Sequence, residues 1–148
     1  RIGIRERTEG FRRTVAKVAR TSVTVAAADV HTHAEGVRLS RELLDVPASR
    51  RPTAVFAVTD VLALAAYDVA HELGLRIPED LSVVGFDDIE AAARANPPLT
   101  TVSHDLEGKG RAAARAALDL VEGRPAKVPR LSAELEVRAS TAPPPRHR

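Results

Sequence analysis

Apolar residues recur along the chain with two periods, and each period predicts an element. From Glu6 to Ala19 the residues Phe11, Val15, Val18 and Ala19 share one helical face. Ser22 to Ala27 is apolar and β-branched, which predicts a strand. Asp29-Val-His-Thr-His33 is a polar loop. Ala34 to Leu44 predicts a helix with Val37, Arg41 and Leu44 at helical spacing, where Arg41 bridges or lays its stem along the core. Pro47 to Pro52 is a basic, breaker-rich connection. Thr53-Ala-Val-Phe-Ala-Val58 is the clearest strand. Asp60 can cap the following helix, Val61 to Leu73, and Gly74 stands where a left-handed residue ends a helix. Ile77-Pro-Glu-Asp80 turns the chain into a strand, Leu81 to Phe86. A strand, a helix and a strand joined by short loops predict a right-handed parallel crossover.

Further along, Asn96-Pro97-Pro98 excludes helix and leads into a short strand, Leu99 to Ser103. Leu106 to Glu122 is an Ala-rich helix closed by Gly123. Ser132 to Arg138 alternates, with Ala133, Leu135 and Val137 opposite Ser132, Glu134, Glu136 and Arg138, as in a half-exposed edge strand. The segment Ala142-Pro-Pro-Pro-Arg-His-Arg148 offers nothing to pack and is expected to be mobile. Strands alternating with helices give an α/β fold with a mainly parallel sheet flanked by helices. The helix Leu106 to Glu122 fits that alternation poorly, because it lies between strands of different character.

Composition narrows the classes. The 148 residues suffice for one domain with a real core, and 44% hydrophobic with 28% charged is an ordinary globular balance. Aromatics are 3%, so Val, Leu, Ile and Ala build the core. The absence of Cys excludes disulfides, thiolate metal sites and cysteine nucleophiles. No apolar run approaches the roughly 18 residues of a membrane span. The chain opens at Arg1-Ile-Gly-Ile-Arg5 without Met and is expected to be a fragment. Net charge is +2, with basic residues scattered among acids rather than in a stripe, which gives no nucleic-acid footprint.

Candidate chemistry gathers at strand ends. Asp87 and Asp88 follow one apolar strand and Asp60 follows another, and the crevice at the carboxyl ends of an α/β sheet is where ligands bind. Three such carboxylates could hold Mg²⁺ or accept a phosphoryl group, but that chemistry needs a lysine at a strand end. Lys17, Lys109 and Lys127 do not stand there. Asp60 and Asp88 are explained equally well as caps; Asp87, directly at the crevice, is expected to act on a ligand. His31 and His33 have a metal-pair spacing without a third ligand nearby, so a solvated loop is the simpler reading. Neither a Gly-rich phosphate loop nor a Gly-x-Ser-x-Gly elbow is present, and catalytic machinery is not visible. Arg5 and Arg7 could grip hydroxyls or carboxylates in a forked geometry.

These pieces occur in a telling order. Pro52-Thr-Ala-Val-Phe-Ala-Val-Thr-Asp60, Ala63-Leu-Ala-Ala66, Glu72 through Asp88 ending in Val-Val-Gly-Phe-Asp-Asp, and Asn96-Pro-Pro-Leu-Thr-Thr-Val102 together resemble the LacI/GalR family of transcriptional regulators. Arg7-Thr-Glu-Gly-Phe11 and Leu135 to Pro144 fit the same pattern. The resemblance implies a periplasmic-binding-protein-like effector domain, present as its C-terminal lobe plus part of the N-terminal lobe. Residues 1–143 would be the effector-binding and dimerisation portion, with about 103–123 an excursion into the N-terminal lobe, and 144–148 a disordered tail. It implies a sugar- or nucleoside-like effector held by Arg7 and Asp87, with Arg5, His31, Thr59 and Asp60 beside them. His31 falls where the family offers an aromatic ring, and Thr59-Asp60 where Asn-Asp is usual. Val61 to Leu73 and Asp88 to Asn96 resemble the dimer-forming surface. The expected partners are a small-molecule effector and a second copy, with DNA reached only through a region before Arg1 and no membrane. The expected location is cytoplasmic; no enzyme activity and no cofactor are expected. A sugar-binding protein of an ABC transporter is the alternative on the same fold.

Overall fold

The structure is a computed structural model that describes residues 2–19, 21–27, 29–126 and 132–144. Residues 145–148 of the expected tail, and Lys127, lie outside the described residues. Among the described residues nine elements follow in order: α1 (Ile2–Val15), α2 (His33–Leu44), β1 (Ala54–Phe56), α3 (Asp60–Glu72), β2 (Ser82–Phe86), α4 (Glu90–Arg94), β3 (Thr100–Ser103), α5 (Leu106–Val121) and β4 (Glu134–Glu136). The sheet runs in the order β1-β2-β3-β4. The first two pairings are parallel and the last is antiparallel, so the mainly parallel α/β architecture holds and β4 is the expected edge.

Strand alternation sorts the two faces of this sheet. Val55 pairs with Val83, and Gly85 with Thr101, on the face that α3 covers. The core there joins Leu44, Leu62, Tyr67, Val69, Leu81, Val83 and Leu99. α2 lies over α3, and the contact is close because Gly36 has no side chain: a Cβ there would stand 2.6 Å from that of Ala65. Arg41 of α2 pairs with Glu72 of α3, which makes it a bridge. Burying α3 between sheet and α2 leaves mainly Asp68, His71 and Glu72 of it outside. Gly74 follows α3 with φ 69°, as its position predicts.

Asp60 does not cap α3. Thr59 does, its hydroxyl accepting from the Leu62 amide. The Asp60 carboxylate is instead fully buried, with Oδ1 accepting from the Thr101 hydroxyl at 2.5 Å and Oδ2 from the Ile89 amide at 2.9 Å. It lies against Gly85, where a Cβ would come 2.1 Å from Oδ1. Tyr67 donates to the Pro97 carbonyl at 3.0 Å, and burial raises its phenol pKa. Ser140 knits the strand starts: its hydroxyl donates to Val83 O at 2.6 Å and accepts from the Thr100 amide at 2.8 Å.

Three expectations need correction. The first helix lies earlier than Glu6–Ala19, since β-branched Thr14 and Val15 give way to turns whose carbonyls at Val15 and Val18 accept from Thr21. Of its expected apolar face Phe11 stacks on Phe56 of the sheet, while Val18 is exposed. Ser22 to Ala27 is not a strand. Its β propensity needs a neighbour to supply ladder hydrogen bonds, and the segment pairs with none among the described residues. In β4 the alternation is present but its apolar side is uncovered, with Leu135 58% and Val137 70% exposed. The short helix α4 was not anticipated.

Two outcomes test these contacts. Gly85→Ala and Thr101→Val are each expected to lower stability by about 1–3 kcal/mol in urea titration, the first by overpacking and the second by leaving a buried carboxylate short of a donor. Asp80 accepts from the Arg76 side chain at 2.7 and 2.8 Å and from its amide at 2.9 Å, which lowers its pKa from 3.8 to about 2. The folded state therefore binds this proton less readily than the unfolded chain, so the bridge stabilises above 3.8 and is lost as pH falls toward 2. The loss of stability across that window is expected to be shallower in Asp80→Asn than in the parent.

Candidate functional site

The carboxyl ends of β1, β2 and β3 lie side by side, and each contributes to one cluster. β2 ends at Phe86, and the chain then turns through Asp87 (φ 117°) and Asp88 (φ 56°). Positive φ is costly for a residue with a side chain, and such strain concentrates at binding sites. Two hydrogen bonds hold the turn: the Asp87 amide donates to Val102 O on β3 at 3.0 Å, and the Ile89 amide donates to buried Asp60.

Arg7 reaches this turn from α1. Its guanidinium donates to Val58 O at 2.7 Å, stands 3.5 Å from Asp87 Oδ1, and lies 3.6 Å above the Phe86 ring centroid. Phe11, one helical turn later, stacks on Phe56 at 5.0 Å and 17°. Phe56 pairs with Val84, so α1 covers the sheet face opposite α3. A cation over an aromatic ring and donating at its rim is held in place, ready for a forked contact.

His104 completes the cluster. It follows β3 directly, is buried, and packs its ring 5.2 Å from that of Phe86. Its Nε2 lies 3.0 Å from Asp87 Oδ1, and its Nδ1 lies 2.5 Å from Lys109 Nζ in the first turn of α5. Sequence reasoning missed His104, Lys109 and Phe86. One signal was available: His104 stands after β3 as Asp87 stands after β2. Lys109 ends no strand, yet the first turn of α5 carries it to the same point.

The other expected site residues separate. Asp88 turns away to Arg138, 2.7 Å from its guanidinium. Asp60 is sealed beneath the turn, so the three carboxylates do not form one cation site. Thr59 spends its hydroxyl on the helix cap. Arg5 is exposed on α1, and His31 is part-buried before α2. His33 pairs with Asp68 at 2.8 Å rather than with His31. Among the described residues, His, Asp and Glu nowhere gather three together as a metal site would need. A cavity of about 370 Å³ is lined by Ser103, Asp105, Ser132 and Glu134, and none of the clustered residues lines it. The arrangement offers a carboxylate and a planar guanidinium for hydrogen bonds to hydroxyls, and no activated nucleophile.

Comparison with known proteins identifies the family. The periplasmic binding protein-like domain family matches residues 2–141. The transcriptional regulator MalR of Streptomyces coelicolor is 37% identical over 153 residues, covering 99% of this chain and 44% of that regulator. A LacI family regulator structure from Bifidobacterium animalis subsp. lactis superposes with TM-score 0.79 at 34% identity, covering 93% of this chain and 50% of the other. A CelR regulator in complex with cellobiose gives TM-score 0.78 at 38% identity, covering 91% of this chain and 42% of the other. The chain spans less than half the length of the curated relatives it matches. With parallel strands whose ends carry Arg7 against Asp87, and with similarity along nearly its whole length, the chain belongs to the periplasmic binding protein-like domain family, in its LacI/GalR branch.

Proposed function

We propose that this chain is the effector-binding and dimerisation portion of a LacI-type transcriptional regulator and that its effector is a small sugar-like polyol. The observation that carries the reading is the convergence of Arg7 and Asp87, eighty positions apart in sequence, at 3.5 Å over the Phe86 ring. A guanidinium and a carboxylate side by side donate to and accept from neighbouring hydroxyls, and the Phe86 ring beneath the guanidinium holds it in place. The cellobiose held by the related CelR structure supports this ligand class. A ligand that prefers one arrangement of the lobes shifts their equilibrium toward it, and attached DNA readers would follow. That cycle breaks no covalent bond. Arg5, His31 and Thr59 remain peripheral candidates; buried Asp60 supports the site from beneath.

α5 supports the idea that it belongs against another lobe or another copy. Ala116 alone of its residues is buried, while Leu118 and Leu120 are exposed and Val121 is 85% exposed. The uncovered side of β4 adds Leu135 and Val137. Such surface favours self-association of the chain as it stands.

Asp87→Asn is expected to weaken sugar binding tenfold to a hundredfold in calorimetry with an unchanged circular dichroism spectrum, since hydrogen bonds to charged groups contribute about 1.5–3 kcal/mol. Arg7→Ala is expected to act alike, and unchanged affinity in both would refute the site. In sedimentation velocity at micromolar concentration the chain is expected to run as a dimer or larger species; a single sharp monomer boundary would contradict self-association.

A further inference from the structure

We propose that Lys109, acting through His104, is a positioning residue that holds one oxygen of Asp87 and leaves the other as the acceptor for the hydroxyl or amine N–H donors of a ligand. This rests on the reading of Asp87 as a ligand-holding group.

Both donors that approach Asp87 reach the same atom. Arg7 and His104 Nε2 lie 3.5 Å and 3.0 Å from Oδ1, which leaves Oδ2 without a donor among the described residues. What makes His104 a donor is Lys109. An ammonium has hydrogens to give and no lone pair to accept with, so Nδ1, 2.5 Å away, must be the bare nitrogen. In the neutral ring the proton then sits on Nε2, facing the carboxylate. The reverse tautomer would set an N–H against the ammonium and a lone pair against Oδ1. The charged groups around the ring are Asp87, Lys109 and, across the carboxylate, Arg7. Asp105 is occupied in capping α5 through the Gly108 amide, and Asp88 is paired with Arg138.

The Lys109 position is itself set by the helix, whose first turn bonds its amide to Asp105 O at 2.9 Å. The ring cannot swing away, because it is buried against Phe86. A carboxylate pinned at Oδ1 presents Oδ2 in one direction and cannot rotate to offer Oδ1 instead. The site therefore meets the ligand's donors at Oδ2, with the remaining Arg7 N–H groups free to meet an adjacent oxygen.

The test has two readouts on the full 148-residue chain. In the ligand-free chain, with isotopically labelled imidazole nitrogens in mildly alkaline buffer, His104 is expected to carry its proton on Nε2. Lys109→Met is expected to move the Nδ1 resonance downfield, as an accepted hydrogen bond is lost, with the amide spectrum otherwise retained. An unmoved Nδ1 resonance overturns the relay whichever sugar binds. The second readout is calorimetry with cellobiose, glucose and ribose. Lys109→Met and His104→Phe are expected to bind about tenfold more weakly, the share of one hydrogen bond. His104→Gln, whose amide can donate on one side and accept on the other, is expected to stay within a few-fold of the parent. Equal losses in His104→Gln and His104→Phe would overturn the relay. Affinity lost in Asp87→Asn but unchanged in Lys109→Met overturns the relay alone; affinity unchanged in Asp87→Asn overturns the site reading on which it rests.

Discussion

A carboxylate without access to solvent, Asp60, joins the three parts of the molecule that the site needs. It stands at the start of α3, accepts from Thr101 on β3, and accepts from the Ile89 amide beyond β2. Burying a charge costs several kcal/mol unless hydrogen bonds replace its water. Here both oxygens are served, and no buried side-chain polar atom among the described residues lacks a partner. Gly85 is part of the same device, since any side chain would occupy the space of the carboxylate. The consequence reaches the surface: with Ile89 tied inward and the Asp87 amide tied to Val102, the turn between them keeps two residues at positive φ and aims Asp87 outward.

Asp87 and Asp88 show how such a turn divides labour. Adjacent in sequence, they diverge in space, because Arg138 from the returning C-terminal segment claims Asp88 while Arg7 and His104 meet Asp87. One acid closes the edge of the sheet and the other faces the crevice. Arg138 also donates to Leu99 O at 2.9 Å, so the segment after β4 locks the strand starts and the turn together. The sheet face under α3 is thus densely determined. On the opposite face α1 packs through Arg7 on Phe86 and Phe11 on Phe56, His104 meets Phe86 as well, and Leu135 of β4 and Leu118, Leu120 and Val121 of α5 stay exposed.

Much of this was legible from residue order. Helical spacing and Gly74 located α2 and α3; apolar runs located β1, β2 and β3; alternation located β4. The position of Asp87 after an apolar strand marked it as a crevice residue, whereas Arg7 joined it only through the family resemblance. The failures share a cause. Ser22 to Ala27 has strand composition but no neighbouring ladder, and Glu6 to Ala19 has the right period with the wrong ends. Asp60 has the residue type of a cap, yet the space beside Gly85 draws it inward and Thr59 takes the cap. His104 and Lys109 carried no motif, because their meaning lies in which atoms they touch.

The chain by itself determined the alternation of strands and helices, the placement of acids at strand ends, and the family to which it belongs, because these follow from local periodicity and from short motifs in fixed order. Tertiary structure alone decided which acid is buried, which pairs with Arg138, and which meets Arg7, His104 and, through it, Lys109. Burial and hydrogen bonding depend on groups brought together from positions up to eighty residues apart, and no local pattern specifies that meeting.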